Sequence, residues 1–87
     1  HVDTAFIGVS GITPQGIFTV DVAEGHVKQA AIQAARRVVV PLDTSKVGYQ
    51  DFYHLAALDV IDDIVTEAPH EDLARWCAEH GVRLHTA

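Results

Sequence analysis

Eighty-seven residues allow one domain or one half of a larger one, and they exclude two independent cores. A composition of 48% hydrophobic and 21% charged residues excludes the polar, highly charged signature of disorder. Twelve acidic against six basic residues give a net charge of −6, and the basic ones are scattered. That leaves no electrostatic footprint for nucleic acid or an anionic membrane, so direct DNA contact by these residues is not expected. The single cysteine, Cys77, has no partner for an internal disulfide. No secretory signal and no apolar run of about 20 residues is present, which points to a soluble protein of a reducing compartment. The chain begins at His1 without a methionine and enters apolar sequence almost at once, which predicts a cut through a larger protein, although a trimmed tag leaves the same trace.

Thr4 to Val9 is short, apolar and suited to a sheet, and Gly8, Ser10, Gly11, Pro14 and Gly16 crowd the adjoining stretch of chain. The pattern predicts a strand entering a glycine-rich loop. Asp21 with Glu24 has the D-x-x-E form of a capping box, in which each side chain satisfies a free amide, so a helix is predicted from there. Val27, Ala30, Ala31 and Ala34 recur at helical spacing as a small-residue stripe that can lie against a sheet. Arg36 and Arg37 fall where the negative helix end favours cations. Val38 to Leu42 is a continuous apolar run, the pattern of a parallel strand buried on both faces, although Pro41 weakens it.

Asp43 to Gly48 reads as a polar loop, and Ile61 to Thr66 as a further strand. Pro69 sits near the start of a second helix on which Leu73, Trp76 and Cys77 share a face. Glu71, Arg75 and Glu79 are expected to pair at four-residue spacing, Gly81 to end the helix, and Val82 to His85 to form the last strand. Alternating strands and helices without an internal repeat predict an α/β fold, with flanking helices around a mainly parallel sheet.

In open parallel sheets ligands bind beyond the carboxyl ends of the strands. Two such ends carry unusual loops, Gly8 to Gly16 and Asp43 to Gly48. Glycines let backbone amides approach an anion, the amino end of the Asp21 helix adds positive partial charge, and Lys46 supplies a full one. A phosphate, or a polyhydroxylated phosphate ester, is the ligand this combination suits. On composition alone the alternative stands beside it: glycines make turns, and a loop lysine is solvated.

The FIGVSGI strand and loop, the D-x-x-E-x-x-V-K helix start at Asp21, the DTSKVG loop and the later DVIDDIVTEAP run resemble, in order and spacing, the carboxyl-terminal half of the sugar-phosphate sensor of DeoR-family transcriptional regulators. The resemblance covers nearly the whole chain. It implies a partial ribose-5-phosphate-isomerase-like fold and a cytoplasmic bacterial regulator, a repressor in the first reading. Operator DNA is then bound through a winged helix-turn-helix outside these residues, and the first half of the sensor also lies outside residues 1–87. It further implies a phosphorylated sugar effector and no cofactor. Gly8, Ser10 and Gly11 would line the pocket, Gly16 would pack near it, Glu24 would face the sugar, and Asp43 with Lys46 would form a D-x-x-K pair.

Isomerases of this fold carry acids on both sides of the first-loop glycine, where this chain has Ile7 and Ser10 around Gly8. The deaminases' Asp-Gly-His is here Ser10, Gly11 and Ile12. The sites therefore read as built for binding without turnover. A fragment of a sugar-phosphate isomerase or deaminase is the alternative, and an α/β subunit without a ligand is the third. Half a sensor exposes apolar surface, for which Val38 to Leu42 is the named candidate, so self-association is expected.

The remaining groups have structural readings. Glu24 equally suits a helix cap, and Asp43 the start of a turn. Cys77, His80, His70 and His85 lie near one another in sequence, but a structural zinc needs four well-spaced ligands and Cys77 falls on the apolar stripe, so no metal is expected. Trp76 reads as a core anchor, and Asp59, Asp62 and Asp63 as an acidic turn explained by solvation and strand capping.

Overall fold

The computed structural model describes residues 2–87. The elements run β1 (Val2–Phe6), β2 (Gly11–Thr13), β3 (Gly16–Thr19), α1 (Val22–Ala34), β4 (Ala35–Leu42), β5 (Tyr53–Ala56), β6 (Asp63–Thr66), α2 (Glu71–His80) and β7 (Arg83–Thr86). Short 3-10 turns occupy Thr44–Lys46 and Leu58–Val60. The apolar runs form one parallel sheet in the order β1-β4-β6-β7, which makes the fold α/β as expected.

Each of the three parallel connections steps in the same direction across that sheet. Connections of this kind are right-handed almost without exception, so all of them pass over the same face. Alternation along the strands sends Ala5, Val38, Val40, Leu42 and Ile64 to that face, where they are buried with Leu73 and Cys77 of α2 and Ile12, Ile17 and Leu55 of the second sheet. The opposite face carries Phe6, Arg37, Val39, Asp63, Val65 and His85, and among the described residues no helix lies on it. Val38 to Leu42 is accordingly interior, with Val38, Val39, Val40 and Leu42 buried, and it is not the exposed apolar surface that half a sensor was expected to show. On the opposite sheet face the exposed apolar residues include Phe6 and Val65, at 72% and 41%.

Several local expectations are corrected. The first strand ends at Phe6, and the stretch from Gly8 to Gly16 is only partly loop. Gly11–Thr13 and Gly16–Thr19 pair as an antiparallel hairpin, extended by β5 into a second, three-stranded sheet. Gly16, at φ 138°, permits the tight turn after Pro14 and Gln15. The hairpin escapes pattern reading because its strands are short and rich in turn formers.

α1 starts as predicted, with Asp21 accepting a hydrogen bond from the Glu24 amide at 2.7 Å. The capping box is only half made, since the Glu24 carboxylate turns to Thr19 and Lys28 instead. Val27 is 71% exposed and Ala30 and Ala34 are exposed too, so of the expected stripe only Ala31 packs against the core. Gly25, Gln29 and Ile32 turn inward, because an ideal Cβ on Gly25 would lie 2.4 Å from the Tyr53 ring and Gln29 bonds both the Tyr53 hydroxyl and the Leu55 carbonyl. The helix stops at Ala34, and Arg36 and Arg37 belong to β4 rather than to the helix end.

α2 buries Leu73 and Cys77 with Trp76 half-buried, as its spacing predicts, and Gly81 closes it in the left-handed conformation. Its amino-terminal cap is His70. Arg75 pairs with Asp72 at 3.0 Å and not with Glu71 or Glu79.

Candidate functional site at the carboxyl ends of the parallel strands

β1 and β4 are neighbours running the same way, so the segments that leave their carboxyl ends emerge side by side. In the first segment the Gly8 carbonyl accepts from Lys28 Nζ at 2.5 Å, and the same ammonium pairs with Glu24 Oε1 at 2.6 Å. Thr19 donates its hydroxyl to that oxygen at 3.1 Å. The Lys28 ammonium, aided by the Thr19 hydroxyl, holds the Glu24 carboxyl below its ordinary value. Ser10 donates to Asp51 Oδ2 at 2.6 Å, while its amide is tied to the Phe18 carbonyl.

In the second segment Asp43 caps the Thr44–Lys46 turn by accepting from the Ser45 amide at 2.9 Å. That amide, with the Ser45 hydroxyl and in smaller part the charge of Lys46, keeps the Asp43 carboxyl low. Glu67, just past the end of β6, accepts from the Thr44 hydroxyl at 2.8 Å and the Thr44 amide at 3.0 Å, which holds its carboxyl low as well. Lys46 is exposed and has no ion-pair partner among the described residues.

The two segments are fastened together through β2. Gly48 donates its amide to the Ile12 carbonyl at 2.7 Å, and Val47 bridges Ile12. Gly11 is required at this crossing, because an ideal Cβ there would sit 2.1 Å from the Tyr49 carbonyl oxygen. Gly8, Ser10, Gly11, Glu24, Asp43 and Lys46 thus lie on or beside two joined loops. Gly16 stands at the hairpin turn, where its close neighbours are Ala56 and His54 of β5.

The sequence pattern does not single out Lys28, Thr19, Asp51 and Glu67. Lys28 has a signal, since it closes the D-x-x-E-x-x-V-K motif. Asp51 and Glu67 have none, because their partners lie 41 and 23 residues away.

Chemically the cluster offers carboxylates that stay ionised, the Lys46 ammonium with no ion pair among the described residues, and open space beside Gly8, where an added Cβ would meet nothing within 4 Å beyond its chain neighbours. A general acid needs its proton near neutral pH, and the lowered Glu24 and Asp43 do not keep one. The arrangement suits hydrogen bonding to hydroxyls and pairing with an anion.

A second ionic cluster corrects the reading of Asp63 as part of a solvated turn. Its side chain is buried on the uncovered sheet face, 2.8 Å from Arg37 Nε, 3.0 Å from Arg83 Nε and 2.8 Å from His85 Nε2. Arg37 first, then His85 and Arg83, hold its carboxyl well below the usual carboxylate range. Asp62 does cap a strand end, accepting from the Val38 amide at 2.7 Å, and Asp59 lies 2.5 Å from His80 Nδ1. Cys77 is buried, which pushes its thiol up. Among the described residues His70, His80, His85 and Cys77 therefore have separate engagements and form no metal-holding group.

Residues 1–68 match the family model of the DeoR C terminal sensor domain. The chain is 39% identical over 85 residues to the HTH-type transcriptional repressor GlcR of Bacillus subtilis, covering 97% of this chain and 33% of that protein. It is 29% identical over 89 residues to the HTH-type transcriptional regulator IolR of the same organism, covering 100% of this chain and 36% of IolR. It is 30% identical over 70 residues to the glycerol-3-phosphate regulon repressor of Escherichia coli, covering 79% of this chain and 28% of the repressor. The chain spans about a third of the length of these relatives, all of which are named as regulators of transcription and none as an enzyme. No helix among the described residues is long and apolar enough to cross a membrane.

Proposed function

The chain belongs to the DeoR C-terminal sensor domain family, and from that premise we propose that it is the effector-sensing, carboxyl-terminal half of the sensor of a cytoplasmic bacterial repressor that binds a phosphorylated sugar. The observation that carries this reading is the exposed Lys46 ammonium, without an ion pair among the described residues, presented beside Asp43 on a capped turn at the strand ends where ligands of open parallel sheets bind. Lys46 meets the phosphate, the amides around Gly8 to Gly11 approach it, and Asp43 and Glu24 accept from sugar hydroxyls. One relative is named for glycerol-3-phosphate, a polyhydroxylated phosphate ester, which supports that ligand class. Operator DNA is contacted by a helix-turn-helix module outside these residues, in keeping with two relatives named HTH-type and with the net charge of −6 here.

Self-association belongs to the same proposal, because Phe6 and Val65 leave apolar surface uncovered. Sedimentation of the 87 residues at micromolar concentration is expected to show an assembly, and a stable folded monomer contradicts it.

The function is tested on the complete regulator with a panel of pentose, hexose, hexosamine and glycerol phosphates. A saturable rise in thermal stability with one of them, without turnover, is the expected result. Turnover above background transfers the chain to the isomerases or deaminases. No stabilisation by any member removes the effector reading.

A further inference from the structure

Asp51 stands outside the loops that the sequence pattern marks, yet its side chain reaches back 41 residues to the first of them. The Ser10 hydroxyl donates to Asp51 Oδ2 at 2.6 Å, and the other carboxylate oxygen accepts from the Phe52 amide at 2.7 Å. A serine hydroxyl has one proton. The Phe18 carbonyl, 3.3 Å from the same hydroxyl, is the weaker claimant, since the carboxylate bond is shorter and charge-assisted. That carbonyl already accepts the Ser10 amide at 2.9 Å. Both donors of Ser10 are therefore spent inside the chain, and what Ser10 and Asp51 still offer a ligand is lone pairs.

Both side chains are half-buried, and Asp51 makes no ion pair among the described residues. A phosphate at neutral pH is a negatively charged acceptor. Against this pair it finds no proton to accept and a like charge facing it. A sugar hydroxyl brings the donor that the pair lacks. The segment is also pinned on its Lys46 side, because the Gly48 amide donates to the Ile12 carbonyl, so one short stretch presents Lys46, which favours an anion, and Asp51, which favours a donor.

We propose that Asp51, acting through Ser10, is a positioning residue that sets the specificity of the effector site. It bars an anionic group from the Ser10 side, which takes sugar hydroxyls, so the effector carries its phosphate at one end only, on the side of Gly8 and Lys46. The proposal deepens the sugar-phosphate reading and rests on it.

The test is calorimetric titration of the complete regulator and its Asp51→Asn variant. Asparagine keeps the shape but has one acceptor oxygen in place of two and no charge, so it cannot hold both the Ser10 hydroxyl and the Phe52 amide, and a proton turns toward the ligand. Each phosphate ester of the panel is paired with a bisphosphate that carries a second phosphoryl group at the other end of the same carbon skeleton. For the ester that binds, wild type is expected to favour the monophosphate by about a hundred-fold or more. Asp51→Asn is expected to narrow that gap about ten-fold by binding the bisphosphate more tightly, a gain that a merely loosened loop does not produce. Equal or tighter binding of the bisphosphate by wild type overturns the proposal. So does an unchanged gap in folded Asp51→Asn, or a gap narrowed only by weaker binding of the monophosphate. Asp51→Ser, which also removes the charge and adds a donor, serves if Asp51→Asn misfolds. When no member of the panel binds wild type, the effector reading falls and takes this one with it, whereas a bound ester with an unchanged gap removes the role of Asp51 alone.

Discussion

The two charged regions of this chain are built from the same residue types to opposite ends. Around Asp63 the carboxylate is buried and its cations converge on it from β4 and β7, so the ions are committed to one another. At the carboxyl ends of β1, β4 and β6, Glu24 pairs with Lys28 and accepts from Thr19, while Asp43 and Glu67 accept from amides and hydroxyls of the Thr44–Lys46 turn, and Lys46, whose charge also lowers the Asp43 carboxyl, makes no ion pair among the described residues. The first arrangement holds fixed charges on the sheet. The second keeps charges exchangeable, which is what reversible binding of a small anion needs.

The largest effect that sharpens this contrast comes from the two sheet faces themselves. Ile64 and Val65 are consecutive, one buried under α2 and one on the bare face. In the 87-residue chain Ile64→Ala is expected to cost about 2 to 5 kcal/mol in urea unfolding, through lost burial and a cavity. Val65→Ala is expected to cost about 0.5 kcal/mol or less. Equal costs would mean that the face now bare is packed.

Asp63→Asn should come next in size. Its carboxyl is held below the roughly 3.9 of an unfolded chain, so the unfolded state takes up the proton more readily. The stability it contributes is therefore present above that value and is lost as pH falls through the interval beneath it. Arg37, Arg83 and His85 face the group, and Asp62 acts on Arg37 from beside it. Thermal scans from pH 7 down to about 2 are expected to show wild type and Asp63→Asn well separated at neutral pH and converging in acid. A constant gap would show that Asp63 is not ionised in the fold.

Much of this architecture was legible in the sequence because its signals are local. Asp21 as a cap, the Val38–Leu42 run and Gly81 as a helix end each announce themselves within a few residues. The rest depends on long-range partners. Asp63 reads like its solvated neighbours until Arg37, 26 residues earlier, and Arg83, 20 later, arrive beside it. The hairpin was hidden by Gly11, Pro14 and Gly16, which look like loop residues until β5 pairs with β3. The packed face of α1 was misplaced because Gly25 carries no apolar signal, although its lack of a side chain is what admits Tyr53. In the site the two loops were legible as loops, but their fastening through Ile12, Val47 and Gly48 was not, since one backbone bonds another irrespective of side chain.

A smaller effect separates structural from site glycines. Gly25→Ala presses a methyl into the Tyr53 ring, whose hydroxyl is held by Gln29, and it should cost about 1 to 3 kcal/mol, partly offset by alanine's better helix propensity. Gly8→Ala meets nothing within 4 Å and should leave stability within about 0.5 kcal/mol. Chemical denaturation of both variants checks the pair, and a reversed order would misplace Gly8 as the open glycine of the site.

The most direct measurement is calorimetric titration of the complete regulator and its Lys46→Ala variant with the sugar phosphate that stabilises it. A charge-assisted bond from Lys46 to the phosphate is worth ~1.5 to 3 kcal/mol. The expected result is a loss of roughly ten-fold to a hundred-fold in affinity, with melting temperature and operator binding nearly unchanged. An affinity that does not move would take Lys46 out of the site and, with it, the placement of the effector at these strand ends.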